Sequence, residues 1–468
     1  MMRHRIRAIR STNLARALVL SAVVFAAVGA AACRGPDHAA NVTASRTPQP
    51  AASSTPVATV SPPPPRRGAG SGTYRSGAAP ANTIIALGTN TLTIDTVTGA
   101  TRELIAAPAT AFPFYVPSRF KPSPDGTLLA YACADDGSPA EAKDRRNLCL
   151  WSADGASVPP VVTPADLAAG EYLSPDSWSP DGRKLVFRDQ LHKGLAATSV
   201  WTYILDLETL HPERAFRGMT VGPALWSPDG TRLAAANAAG VFVVQAETGE
   251  MVNIATGAIT PGTDVSPGDV AWSADGAFVA FTLGETGHYT DKLYVASADG
   301  ASIRKLGPGG TGVAWSPDGR WIARSVDPLV VGASRCLSFP CRQLWIARAD
   351  GSDDHRIANG EDPSWSPDSE RIAFLSSIGA GQFGLYVTRI DGGDPGLVSS
   401  DVALTSSPSI TWGAAGRQIF FTAYPANIAG RACGQGGCAD GYLFTVDATG
   451  ASAPRQLYDG PIHEILKR

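Results

Sequence analysis

The 468-residue sequence lacks the short motifs that mark the commonest catalytic chemistries. It has no Gly-x-Ser-x-Gly segment, which excludes a fused serine-hydrolase domain. It also has no His-Glu-x-x-His segment and no phosphate-binding glycine loop. Its seven histidines are scattered along the chain, so we predict no metal site and no cofactor. These absences favour a protein that binds its ligand without transforming it.

The chain also lacks an excess of positive charge once residues 1–32 are set aside. That segment holds five arginines and no acidic residue. Removing them from the 39 basic residues leaves 34 against 42 acidic residues, a net charge of −8. This balance argues against a nucleic-acid partner and against binding of anionic lipid through basic patches.

Helical periodicity and long apolar runs are absent after residue 33. Residues 17–28 are apolar but too short for a bilayer span, and arginines precede them. We therefore expect an export signal over residues 1–32. Residues 30–33 are similar to a bacterial lipobox, although that motif prefers Leu at Ala30. We expect cleavage before Cys33 and a lipid on its thiol; the alternative is a signal-region cysteine that cleavage removes.

Seven cysteines leave one unpaired in an exported chain. Six of them form three close pairs, and Cys33 is the remainder: Cys133 with Cys149, Cys336 with Cys341, and Cys433 with Cys438. A local disulfide explains each pair, and three disulfides indicate an oxidising compartment outside the cytoplasm. Zinc is the alternative for the short pairs, which lack a second pair or nearby histidines.

Residues 33–81 are rich in Pro, Ala, Ser and Thr, with four consecutive prolines at 62–65. Such a composition cannot bury a core and predicts a disordered, lipid-anchored tether. The tether would hold a folded domain, residues 82–468, clear of the membrane.

A Trp-Ser-Pro-Asp-Gly segment and its near-copies recur seven times within that domain. The copies, 43 to 56 residues apart, are 123–126, 178–182, 226–230, 272–276, 315–319, 365–369 and 412–416. In each copy Ser suits the first position of a type I turn, Pro presets φ, and Gly accepts a positive φ. The preceding Trp offers apolar surface to wedge between units. A period in the forties built from short strands predicts a β-propeller with one four-stranded blade per repeat.

Short apolar strands and Asp-Gly turns complete each repeat, as at 293–295 followed by 299–300. We label the strands of a blade A to D from centre to rim. Seven turns imply seven A strands, yet residues 84–105 supply an eighth B-C-D set. Residues 461–466 could provide its A strand, so we predict eight blades closed by both chain ends. A seven-bladed ring with a free N-terminal set is the alternative.

These repeats resemble the TolB-like, WD40-like propeller family, in which the Trp-Ser-Pro-Asp-Gly turn and a Leu-Tyr-Val strand are the hallmark. Residues 385–387 show that strand, and the resemblance covers about residues 82–468. It implies an all-β propeller but no particular function. TolB carries a separate α/β domain that nothing here matches, so its partners are not expected to transfer.

Loop chemistry indicates where a ligand would bind. The A–B and C–D turns are short and alike, whereas the B–C connections on the opposite face vary; they include 134–148, 189–199, 326–343 and 423–441. Variable loops on a rigid scaffold tend to carry function. We therefore expect a monomeric envelope protein that binds a protein, peptide or glycan there. The alternative is a lyase or hydrolase with its site at the mouth of the central channel.

Four acids precede or begin A strands and could ring that mouth: Asp176, Asp269, Glu361 and Asp362. They could bind a cation or a basic ligand. The alternative is that they cap turns.

Overall fold

Over the residues it describes, the computed structural model is almost entirely β-structure, and a short 3-10 helix lies at Pro164–Asp166. It describes residues 82–88, 90–106, 120–133, 147–152, 160–167, 172–193, 196–217, 223–237, 239–258, 265–285, 292–328, 342–379, 382–400, 402–404, 409–425 and 441–465. The expected signal, Cys33 as the expected lipidation site and the expected tether lie outside these residues. Cys336, Cys341, Cys433 and Cys438 lie outside them as well.

The described strands form eight blades. Blade 8 contains the N-terminal strands β1 (Thr83–Gly88), β2 (Asn90–Asp95) and β3 (Thr101–Ala106), and the C-terminal strand supplies its inner strand. Blade 1 contains β4 (Phe120–Pro122), β5 (Leu128–Cys133) and β6 (Asn147–Ser152). Blade 2 contains β7 (Tyr172–Trp178), β8 (Lys184–Lys193), β9 (Ala196–Asp206) and β10 (Pro212–Arg217). Blade 3 contains β11 (Leu225–Trp226), β12 (Arg232–Asn237), β13 (Gly240–Gln245) and β14 (Met251–Asn253).

The remaining blades repeat the same order. Blade 4 contains β15 (Val265–Trp272), β16 (Phe278–Glu285), β17 (Lys292–Ser297) and β18 (Ile303–Pro308). Blade 5 contains β19 (Thr311–Trp315), β20 (Trp321–Val326), β21 (Gln343–Arg348) and β22 (His355–Asn359). Blade 6 contains β23 (Glu361–Trp365), β24 (Arg371–Gly379), β25 (Gln382–Arg389) and β26 (Gly396–Ser399). Blade 7 contains β27 (Val402–Leu404), β28 (Ile410–Trp412), β29 (Gln418–Pro425), β30 (Gly441–Asp447) and β31 (Arg455–Ile465).

Neighbouring strands pair antiparallel within every blade, in A-B-C-D order. Two blades depart from the simple pattern. In blade 7 the A position is divided between β27 and β28, both of which pair with β29. In blade 1 the described residues hold three strands, and a single bridge joins Leu148 to Val162 at the outer position.

Both chain ends meet in blade 8, as the strand count predicted. The first half of β31 is the outer strand of blade 7, where Leu443 pairs with Tyr458. Its second half is the inner strand of blade 8, where Ile465 pairs with Ala86 and Glu464 with Leu87. One strand therefore serves two blades and covers the inner edge of β1, which would otherwise be free to pair with another chain.

The core lies between blades rather than within any one of them. Seven buried apolar clusters each span two successive blades, from blades 1 and 2 to blades 7 and 8. The B strands are consequently covered on both faces, and every residue of β5 and β20 is buried. Outer strands are more exposed, as in β14, where Met251 is 48% exposed.

The Trp-Ser-Pro-Asp-Gly turns have the geometry that their residues predict. In blade 3 the Ser227 hydroxyl donates to Asp229 at 2.5 Å, and Gly230 N–H donates to the Ser227 carbonyl at 2.9 Å with φ of 70°. Partial burial acts to raise the pKa of Asp229, but hydrogen bonds from Ser227 and Thr231 and the charge of Arg232 lower it to about 2. These turns define one face of the ring, the turn face.

One of the three predicted disulfides lies within the described residues and is present. Cys133 and Cys149 are bonded across β5 and β6, with Cα atoms 5.9 Å apart, and both residues are fully buried. The bond joins the B and C strands of blade 1 at the end from which their connection leaves. It thus fixes both ends of a B–C loop.

Candidate functional site

A cavity of about 590 Å³ lies at the axis of the ring on the turn face. Its wall is built from inner strands and turns of blades 3 to 7 and from the B strand and adjoining turns of blade 8. The lining residues are Asn82, Thr83, Ile84, Thr96, Pro228, Trp272, Ala274, Ala314, Trp315, Ser316, Pro317, Pro363, Ser364, Trp365, Pro367, Thr411, Trp412 and Ala414. Volumes of this size are typical of pockets for small ligands.

Four tryptophans of the repeat form the aromatic part of this wall: Trp272, Trp315, Trp365 and Trp412. Each indole Nε1–H donates to an inner-strand carbonyl of the preceding blade, for example Trp315 to Ala271 at 3.1 Å and Trp412 to Ser364 at 2.9 Å. The same bond recurs from Trp178, Trp226, Trp272 and Trp365. The rings therefore connect successive blades and are held in fixed orientations. The apolar wedge that the sequence predicted is present, but it was not expected to line the channel.

Arginines at the start of two B strands hold two of these rings from the neighbouring blade. The Arg232 guanidinium lies 5.3 Å from the centre of the Trp272 ring and donates to the Gly276 carbonyl at 2.9 Å. Arg371 repeats the arrangement with Trp412 at 4.9 Å and with Gly416. Cation–π contact and hydrogen bond together fix the turn against the wall of the cavity.

The four predicted acids lie on three blades, and the cavity lining contains none of them. Asp176 is 4% exposed; it accepts from Arg188 Nε at 2.8 Å and from Ala224 N–H of blade 3 at 3.1 Å. Burial raises its pKa to about 6, although Arg188 opposes that rise. Asp269 of blade 4 accepts from Gly312 N–H of blade 5. Both carboxylates thus join inner strands of adjacent blades.

Glu361 and Asp362 begin the inner strand of blade 6. Glu361 is 6% exposed, and its Oε2 lies 3.9 Å from Arg342 Nε. Burial and the neighbouring charge of Asp362 raise the pKa of Glu361, while Arg342 opposes the rise. Asp362 has φ of 55°, and its N–H donates to Ser325 Oγ of blade 5 at 3.1 Å. This pair is the one place where the structure brings two of the predicted acids together.

The predicted acids occupy different places relative to the bulges in their A strands. Asp176 and Asp269 lie within the bulges of blades 2 and 4, whereas Glu361 still pairs with Leu375 just before the bulge of blade 6. A side chain just before the bulge and one within it face different neighbours. Sequence spacing alone therefore could not assign these carboxylates to the channel or to the contacts between blades.

The expected B–C binding face is described only in part. Two B–C hairpins extend well beyond the six-residue strands of blade 3. β8 and β9 have 10 and 11 residues, and β24 and β25 have 9 and 8. The centres of connections 326–343 and 423–441 lie outside the described residues.

Two further features concern cofactors and membranes. Within the described ranges, no group of three or more His, Cys, Asp or Glu side chains is placed to hold a metal ion. Over the same part of the chain, no helix has the length and apolarity needed to cross a bilayer.

No protein-family model matches the sequence, and a comparison with curated proteins finds no match. Solved structures that resemble the chain include an oligogalacturonate lyase in complex with manganese, at 17% identity and TM-score 0.44, covering 64% of this chain and 82% of that one. TolB from Acinetobacter baumannii is 12% identical, with TM-score 0.34 and coverages of 69% and 79%. The propeller domain of the Trilobed protease from Pyrococcus furiosus is 15% identical, with TM-score 0.41 and coverages of 73% and 95%. These similarities concern the fold alone.

Proposed function

We propose that this eight-bladed propeller is a non-catalytic binding scaffold of the bacterial cell envelope, anchored by a lipid on Cys33. Its ligand is a protein, peptide or glycan, held mainly at the face that bears the B–C connections. The observation that carries the proposal is that the connections on one face of the rigid ring are alike, whereas those on the other face vary in length. The turn face repeats one closed turn, whereas the B–C hairpins range from six to eleven residues per strand.

The chemistry of the inner strands supports a scaffold. Asp176 and Asp269 accept hydrogen bonds from the next blade, so their carboxylates stabilise the ring. Turn aspartates such as Asp229 hold low pKa values because of their hydrogen bonds and neighbouring charges, and therefore remain ionised near neutral pH. A carboxyl engaged in this way is poorly suited to move protons during a reaction.

An enzyme with its site at the B–C end of the channel is the second candidate. Glu361 favours it, since a buried carboxyl with a raised pKa beside Asp362 and Arg342 has the character of a general acid. Turnover of an envelope glycan or peptide that disappears in Glu361→Gln would support this alternative.

A pull-down from envelope extract tests the scaffold directly. The full-length protein is extracted from membranes and used as bait beside two variants, one with 326–343 shortened and one with 423–441 shortened. Met251→Ala, on an exposed outer strand, is the matched control. We expect the control to retain the partner and both loop variants to lose it. Retention by both loop variants would contradict the assignment of the binding face.

The lipid anchor has its own test. Mass spectrometry of the membrane-associated protein should find Cys33 as the first residue, carrying a diacylglycerol group. A Cys33→Ala protein that remained in the membrane fraction would indicate an uncleaved signal anchor instead.

A further inference from the structure

The cavity on the turn face has an unusual lack of charge. Charged residues make up 17% of the chain, yet none of the described residues that line the cavity is Asp, Glu, Lys, Arg or His. A charged ligand would lose its hydration there without gaining a partner of opposite sign. The cavity therefore suits a neutral ligand.

The aromatic wall is fixed before any ligand arrives. Trp272 and Trp315 are half-buried, and their indole N–H groups are already bonded to the Leu225 and Ala271 carbonyls. The nitrogen is thus used in the fold, and a ligand would meet ring surface rather than a free donor. Fixed rings lose little conformational entropy on binding.

Two hydroxyls supply polar groups within this apolar wall. Ser364 and Thr411 line the cavity on adjacent inner strands and are each 7% exposed. Neither side-chain hydroxyl is hydrogen-bonded to another of the described residues. Each hydroxyl is therefore open to a ligand in the cavity, which would exchange a hydrogen bond to water for one to the ligand.

We propose that this cavity is a second binding site, for one or two units of a neutral saccharide. A sugar ring has an apolar face of C–H groups that stacks on an indole and hydroxyls that pair with Ser364 and Thr411. A peptide would need backbone partners, but inner-strand carbonyls such as those of Ala314 and Ser364 already accept from tryptophans. The proposal rests on the proposed function, since it specifies the class of one ligand of the scaffold.

Calorimetric titration of the full-length protein tests the site. The probes are the neutral tetramers of N-acetylglucosamine and of glucose, a uronic-acid tetramer, and a decaproline peptide. Thr411→Val preserves the strand and removes one hydroxyl, and we expect it to raise the Kd of the neutral probe about five- to tenfold. Trp315→Leu should abolish binding.

Trp226→Leu is the matched control, because Trp226 has the same place in its repeat and the same bond to the preceding blade but does not line the cavity. It should leave the Kd unchanged, and circular dichroism identifies any variant that fails to fold. Binding of decaproline or the uronic acid in preference to both neutral sugars would overturn the proposal. So would a folded Thr411→Val protein with unchanged affinity for the neutral probe.

The two proposals fail in different ways. Capture of an envelope partner that survives Trp315→Leu, together with no saccharide binding, would remove the cavity site and leave the scaffold. Cleavage of a saccharide probe at this cavity would keep the site and remove the non-catalytic function.

Discussion

Closure of the ring by β31 predicts a large effect from a small change at the C-terminus. Ile465 is 2% exposed and packs with Ile84, Leu92, Phe420 and other residues of blades 7 and 8. Ile465→Ala removes three carbons from this cluster and should lower the free energy of unfolding by about 2–4 kcal/mol. For a domain of about 380 residues, a loss of about 3 kcal/mol corresponds to a fall in Tm of about 4 °C.

Val97→Ala is the matched control, since Val97 belongs to the same blade but is 60% exposed. Denaturant titration should show a lower unfolding midpoint for Ile465→Ala than for the wild type. The midpoint of Val97→Ala should be almost the same as that of the wild type. A protein ending at residue 460 should also expose the edge of β1 and associate in size-exclusion chromatography. Equal stabilities for Ile465→Ala and Val97→Ala would refute the closure.

Three further predictions concern buried or strained groups. The folded state holds the proton of Asp176 more tightly than the unfolded chain does, so its contribution to stability falls by about 3 kcal/mol as pH rises from about 4 to 6. The difference in free energy of unfolding between wild type and Asp176→Asn should therefore change between about pH 4 and pH 6. A difference that stays constant in urea titrations over this range would contradict the raised pKa of Asp176. Ser369 has φ of 61° and accepts from Asp318 N–H at 3.0 Å. Ser369→Gly should therefore leave the free energy of unfolding almost unchanged, whereas Ser369→Ala should lower it by about 1 kcal/mol in a denaturant titration. The reverse order would show that the turn is unstrained. Replacing Cys133 and Cys149 together by Ala should lower the free energy of unfolding by about 3 kcal/mol, which calorimetry would detect as a lower Tm. An unchanged Tm would show that the disulfide does not stabilise the fold.

The repeat was predictable because its determinants are local. Ser, Pro, Asp and Gly specify a turn through their own hydrogen bonds and dihedral preferences, and the structure reproduces that turn even where Ser369 replaces Gly. The closure of blade 8 followed from a count of strands, since β1 to β3 lacked an inner partner and residues 461–466 had none. Both inferences needed only short-range chemistry and topology.

The cavity was not predictable in the same way. Each tryptophan was recognised as an apolar wedge, but its place on the wall depends on how the ring packs against the preceding blade. The partner of each indole N–H is a carbonyl 44 to 57 residues away. Asp176 and Asp269 carried an ambiguous signal, because a carboxylate before an inner strand can face the channel or the next blade. Packing between blades decides that choice, and no local pattern encodes it.

The central claim is that this propeller binds its ligand without altering it. The most direct measurement incubates the full-length protein with a tenfold excess of a ligand recovered from envelope extract and follows the ligand by mass spectrometry. The ligand should remain intact over hours while about one equivalent stays bound for each site. Steady accumulation of cleaved or rearranged product beyond one equivalent, lost in Glu361→Gln, would contradict it.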